Sequence, residues 1–125
     1  MNSSDLMGAW ALVSFVRHRG DKSDDALGPK PTGLLLYTPD GFMAAYLHKD
    51  PAVKWEGELL SSYSGRWTME GNTLQHAVMF NTEADRVGQV QVRHARLDGP
   101  FLVLSTDKKD GPKGPQWLEI TWKRP

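Results

Sequence analysis

The sequence carries one histidine whose setting differs from that of an ordinary surface histidine. Within Thr73–Phe80, His76 shares its alternating face with Leu74, Val78 and Phe80, while Gln75, Ala77 and Met79 take the other. A face that apolar turns toward a protein interior, where an imidazole can give or take a proton with a pKa set by its surroundings. The plainer alternative is a core histidine satisfied by one neighbour. Arg93 is the second group of interest, but the phase of residues 88–97 is ambiguous. One face holds Val90, Val92, His94 and Arg96; the other holds Gln89, Gln91, Arg93, Ala95 and Leu97. Hydrophobicity alone turns the valines inward and leaves Arg93 solvated. An inward Arg93 would instead require an anionic partner or a ligand oxygen, because a buried unpaired charge is costly. Tyr37 and Tyr63 complete the set, since a buried phenol either packs a core or bonds a ligand carbonyl or phenol.

These residues are positioned by elements with a hydrophobic period of two along nearly the whole chain. Strands are expected at Gly8–His18, Gly33–Thr38, Phe42–Lys49, Tyr63–Met69, Thr73–Phe80, Gly88–Leu97, Phe101–Thr106 and Gln116–Lys123. Pro39-Asp40-Gly41, Glu70-Gly71-Asn72 and Asp98-Gly99-Pro100 supply the tight turns. The segments Gly20–Pro31, Asn81–Arg86 and Asp107–Pro115 read as loops. Asp50-Pro51 has the chemistry of a helix start and allows one brief helix. Eight sequential antiparallel strands close most simply on themselves, which removes exposed edges; a sandwich is the structural rival. A barrel of this size has an interior filled by side chains or able to hold one small ligand.

Composition excludes several function classes. The chain has 125 residues, no cysteine, and fifteen Lys+Arg against fifteen Asp+Glu. Without thiols there is no disulfide framework, thiolate metal site or cysteine nucleophile. A balanced charge provides no field for gathering nucleic acid or anionic membrane. No run is apolar enough to span a bilayer, and Met1-Asn2-Ser3-Ser4-Asp5-Leu6-Met7 lacks the basic and apolar parts of a signal peptide, so a cytoplasmic location is expected. His18, His48, His76 and His94 have no local metal-binding spacing, and neither a phosphate loop nor a serine-hydrolase elbow is present. Arg17-His18-Arg19 and Lys108-Lys109 read as solvated edges.

Gly8-Ala9-Trp10 has the Gly-X-Trp pattern of a lipocalin first strand. Further pieces follow in order: Trp10–Phe15, Gly33-Leu34-Leu35-Leu36-Tyr37-Thr38-Pro39-Asp40-Gly41-Phe42-Met43, Tyr63-Ser64-Gly65-Arg66-Trp67, Gln91-Val92-Arg93-His94 and Trp122-Lys123-Arg124. Together they resemble the small lipocalin-like domain family of bacteria and fungi, with Tyr-Thr-Pro-Asp-Gly the most specific part. Between Asp50 and Ser62 the chain is abbreviated relative to that pattern. The resemblance implies a ligand-binding barrel of a kind that includes both carriers and cofactor-free cyclases or isomerases. It also implies that Gln91 and Arg93 face inward, and that Arg124 stacks over Trp10 to close one end.

The expected fold is therefore all-β: an eight-stranded antiparallel up-and-down lipocalin-like barrel with at most one short helix, formed as a single domain over residues 1–125. The expected function is cofactor-independent isomerisation or cyclisation of one small hydrophobic oxygenated metabolite, with a non-catalytic carrier or sensor as the alternative. His76 would transfer a proton, and Arg93 or Tyr37 would steady negative charge on oxygen. Expected ligand contacts are Ser14, Met43, Ala45, Tyr63, Trp67, Val78, Gln91 and Leu104. Leu47, Leu102, Leu118 and Ile120 would add apolar wall, and the small Ala45 and Gly65 would leave room for a guest. No cofactor, metal, nucleic acid or membrane partner is expected. The protein is expected as a monomer, or as a homodimer through outward Val13, Phe15 and Phe42.

Overall fold

A computed structural model describes residues 1–52 and 62–125. Its strands are β1 (Gly8–Arg19), β2 (Lys22–Asp25), β3 (Thr32–Tyr37), β4 (Phe42–His48), β5 (Tyr63–Glu70), β6 (Thr73–Asn81), β7 (Val90–Asp98), β8 (Phe101–Ser105), β9 (Lys109–Gly111) and β10 (Gly114–Lys123). Eight of them, β1, β3 to β8 and β10, pair antiparallel in succession, and β10 returns to pair with β1 from Ala11↔Lys123 to Arg19↔Gln116. The sheet is thus a closed barrel with no free edge around its circumference.

Both remaining strands are short and lie where loops were expected. β2 folds back on the end of β1, opposing Asp24 to Arg17, and β9 pairs with the start of β10. Charged and glycine-rich sequence hid them, because four- and three-residue strands carry too few alternations to show a period. Single 3-10 turns occur at Ser3–Asp5 and Ala84–Arg86, the latter inside the expected Asn81–Arg86 loop. Asp50 accepts from Lys30 N at 3.0 Å and Ala52 N at 2.9 Å. The helix suggested after it falls outside the described residues.

The β3–β4 turn follows its sequence chemistry. Gly41 takes φ of +93°, Gly41 N donates to Thr38 O at 3.2 Å, and Phe42 N donates to Thr38 Oγ1 at 3.0 Å.

Two bulges decide which side chains reach the interior. β1 slips register against β10 between Leu12 and Ser14. Trp10 and Leu12 are buried before the slip, whereas Phe15 and Arg17 line the interior cavity after it. Ser14 is therefore out of phase with Trp10 and does not line the cavity, and Phe15 is not part of an outward patch. One extra residue reverses the alternation for everything that follows. In the β5–β6 pair Ser64 opposes Phe80 while Gly65 opposes Val78. Leu74, His76 and Val78 stay inward, but Phe80 turns out to 67% exposure. At Gly65 a β-carbon would be driven into the Ala77 carbonyl, so this glycine serves close strand approach.

The barrel is solid at one end and hollow at the other. Arg124 stacks 3.8 Å from the Trp10 ring centre and donates to Ala9 O and Asp5 O, each at 3.0 Å. Trp10 Nε1 donates to Leu6 O at 2.8 Å, which seats Leu6 as a plug. Above it lie Leu12, Met43, Trp67, Leu74, Leu102 and Trp122 in one buried cluster. The strand ends farthest from Trp10 surround the cavity instead.

Candidate functional site

Strand register brings the chemical groups to the floor of that cavity. β6 sets His76 between Trp67 on β5 and Gln91 on β7. Tyr63 reaches in from the open end of β5, and Tyr37 from the closed end of β3. His76 is only 1% exposed, and both of its ring nitrogens are engaged. Tyr37 Oη lies 2.7 Å from Nε2 and Tyr63 Oη lies 2.8 Å from Nδ1. The result is a buried phenol–imidazole–phenol chain. Tyr37 also leans on Trp67, with ring centres 4.6 Å apart.

Burial sets the protonation of this chain. Removal from water, with the charge of Arg93 nearby as a smaller contribution, pushes the His76 pKa from 6.5 down to about 3. At neutral pH the imidazole is therefore uncharged, with one nitrogen donating and the other accepting. Burial also raises the pKa of Tyr37 well above 10 and raises that of Tyr63, with Arg93 partly opposing both shifts. All three groups rest neutral.

Arg93 is the cation whose charge acts on all three groups of the chain. Its Nη1 donates to Val92 O and its Nη2 to Gln91 Oε1, each at 2.9 Å. Thus Gln91 and Arg93 face inward on β7 and the valine face lies outside. The sequence-wide resemblance identified this phase where local hydrophobicity did not.

The cavity has a volume of about 280 Å³, at the small end for a ligand site. Ala45, Leu47, Tyr63, His76, Gln91, Arg93, Leu104, Leu118 and Ile120 line it. Tyr37 does not line the cavity and lies behind His76, to which it is hydrogen-bonded. Met43, Trp67 and Val78 are buried but do not line the cavity, because they stand toward the solid end or against neighbouring strands. Sequence reasoning missed Phe15, Arg17, Ala26, Leu27, Glu83, Arg86 and Trp122 on the lining. Trp122 was in plain phase with Leu118 and Ile120. Leu27, 1% exposed, was the lone large apolar residue in a polar connection. Arg17 was concealed by the β1 bulge.

Among the described residues, the charges at the mouth are already paired. Arg17 meets Asp24 at 2.7 Å, and Arg86 meets Glu83. Among the described residues, no cluster of His, Asp or Glu is arranged to hold a metal ion. Nor is any described helix long and apolar enough to cross a membrane.

A closed antiparallel barrel, plugged at one end by a tryptophan–arginine stack and hollow at the other, has the architecture of a small-molecule-binding barrel. The family description of a lipocalin-like domain matches residues 7–125, and the chain belongs to that family. No curated protein matches the sequence.

Proposed function

We propose that the barrel binds one small hydrophobic oxygenated metabolite in its lumen and acts on it as a cofactor-independent isomerase or cyclase. The observation that carries this reading is His76 held between Tyr37 and Tyr63 at the cavity floor, with Arg93 alongside. A pocket that only sequesters an apolar guest has no use for a buried chain of three exchangeable protons.

The groups have distinct parts. A substrate oxygen placed at Tyr63 Oη receives a hydrogen bond, and Arg93 stabilises negative charge developing on that oxygen. His76 is a weak resting base, so it works through Tyr63 as a transient proton source. Tyr63 gives its proton to one substrate atom and is resupplied through His76, and the proton taken from another substrate atom restores the chain, as an isomerisation requires. Tyr37 holds the imidazole in place. The aliphatic wall formed by Leu47, Leu104, Leu118 and Ile120 selects the reactive conformer. In this reading the protein works in the cytoplasm, as a monomer or homodimer, in small-molecule biosynthesis.

The second reading is a carrier, favoured by the fact that both His76 nitrogens are already occupied by tyrosines. Native mass spectrometry of freshly purified protein identifies a co-purified guest. That guest is then incubated with the protein in deuterated water. An isomerase incorporates deuterium or yields an isomer, and Tyr63→Phe with retained binding slows it by about a hundredfold or more. A guest bound and recovered unchanged, with no deuterium gained, establishes the carrier.

A further inference from the structure

Among the described residues, the hydrogen-bonding groups left over in the cavity are donors. Arg93 spends its fork on two neutral oxygens, Val92 O and Gln91 Oε1. No carboxylate pairs with it among the described residues, whereas Arg17 and Arg86 at the mouth each have one. Gln91 has its oxygen bonded to Arg93, and among the described residues its amide hydrogens have no acceptor. Trp122 contributes ring surface to the lining, but its Nε1–H, without an acceptor among the described residues, is closed off from the cavity space and takes no part in holding a guest.

Tyr63 adds the most directional donor. The Tyr37 hydroxyl has His76 Nε2 as its hydrogen-bond partner and no other among the described residues. If Nε2 carried the imidazole proton, the hydrogen of this fully buried hydroxyl would have nowhere to go. Tyr37 therefore donates to Nε2, the proton sits on Nδ1, and Nδ1–H donates to Tyr63 Oη. The Tyr63 hydrogen is then free to point into the cavity that Tyr63 lines. Three neutral groups thus end in one outward O–H beside a guanidinium.

We infer that the cavity takes an organic acid, a mainly hydrophobic molecule whose anionic oxygen group docks between the Tyr63 hydroxyl and Arg93. This rests on the ligand-binding part of the function proposed above and names the chemical class of the guest. An amine is disfavoured there, because it would face the Arg93 guanidinium while, among the described residues, Asp24 and Glu83 at the mouth are paired with Arg17 and Arg86. The anion completes Arg93, and Leu35, Leu47, Leu104 and Ile120 receive the apolar remainder.

The test uses 4-phenylbutyrate, 4-phenylbutanol and 4-phenylbutylamine as matched probes, with affinities from calorimetry and location from chemical-shift changes at cavity residues. Charge-assisted bonds to Arg93 and Tyr63 favour the acid over the alcohol by about tenfold or more, with the amine weakest. Arg93→Gln and Tyr63→Phe each erode that preference. Imidazole nitrogen resonances of His76 provide an arm that needs neither ligand nor variant, and the expected signature is the Nδ1–H tautomer. An alcohol binding as tightly as the acid, a preference surviving both substitutions, or an Nε2–H tautomer overturns the inference. If no probe enters the lumen, this inference and the ligand-binding reading fall together. Selective acid binding with no turnover of any bound acid leaves the inference standing and sinks only the isomerase.

Discussion

Tyr37 Oη lies 2.7 Å from His76 Nε2, beneath the cavity floor, and each of these atoms is the other's hydrogen-bond partner. The pair is sealed: both residues are 1% exposed. Replacing Tyr37 by Phe strands a ring nitrogen where water cannot reach, which costs about 1–3 kcal/mol. Tyr63→Phe costs less, because water or a guest in the cavity can satisfy Nδ1 in its place. Urea denaturation of the two variants measures the difference. A Tyr37→Phe variant as stable as Tyr63→Phe contradicts the sealed arrangement.

Acid should weaken the fold through His76. The folded imidazole has a pKa of about 3 against 6.5 when unfolded, so between those values the unfolded chain binds the extra proton. Stability is fully present above 6.5 and is lost as pH falls toward 3. Well inside that window the slope from this group approaches about 1.4 kcal/mol per pH unit. A His76→Gln variant lacks the titration, so its stability curve is flatter than that of the parent across the same range. Parallel curves from denaturation at stepped pH would show that His76 is not held neutral.

The legible parts of this molecule were those written in local chemistry. Alternation placed all eight barrel strands, and Thr38-Pro39-Asp40-Gly41 announced its turn because each residue has a backbone reason to be there. The interior position of His76 also followed from its apolar neighbours Leu74 and Val78. The bulges were not legible. Nothing about Leu12-Val13-Ser14 announces an extra residue, since the slip is imposed by how β1 must pair with β10 while closing the barrel. Ser14, Phe15 and Arg17 were misplaced for this one reason, and Phe80 was misplaced by the second slip. Which end was hollow lay equally beyond the period of two. That depends on Leu6 folding under Trp10 from outside the strands.

Gly65 should tolerate no side chain. Alanine there meets the Ala77 carbonyl oxygen and carbon and the Met79 nitrogen, all backbone atoms that cannot swing aside. The β5–β6 pairing would have to open at the bulge next to Tyr63 and His76. A loss of about 2–3 kcal/mol or more is expected, larger than for an ordinary strand Gly→Ala exchange. Thermal denaturation checks the size. Ring-nitrogen shifts of His76 report whether the network is disturbed with it. A Gly65→Ala variant that is as stable as the parent would mean the strands approach less closely than described.

Arg124 ties the first residues of the chain to the solid end of the barrel, and its loss should loosen that end selectively. Its guanidinium lies over Trp10 and bridges Ala9 O on β1 to Asp5 O in the first 3-10 turn. The fork geometry matters as well as the charge, because two carbonyls on different segments are held at once. Arg124→Ala is expected to cost about 1–2 kcal/mol, since a partly exposed cation–π contact is worth about 0.5–1 kcal/mol and the backbone bonds add to it. Arg124→Lys keeps the charge but not the double bridge, and recovers less than half of the loss. Amide exchange locates the effect: residues 3–10 lose protection, while Tyr63, His76 and Gln91 at the cavity keep theirs. Uniform loss of protection across both ends would show that plug and cavity do not open separately.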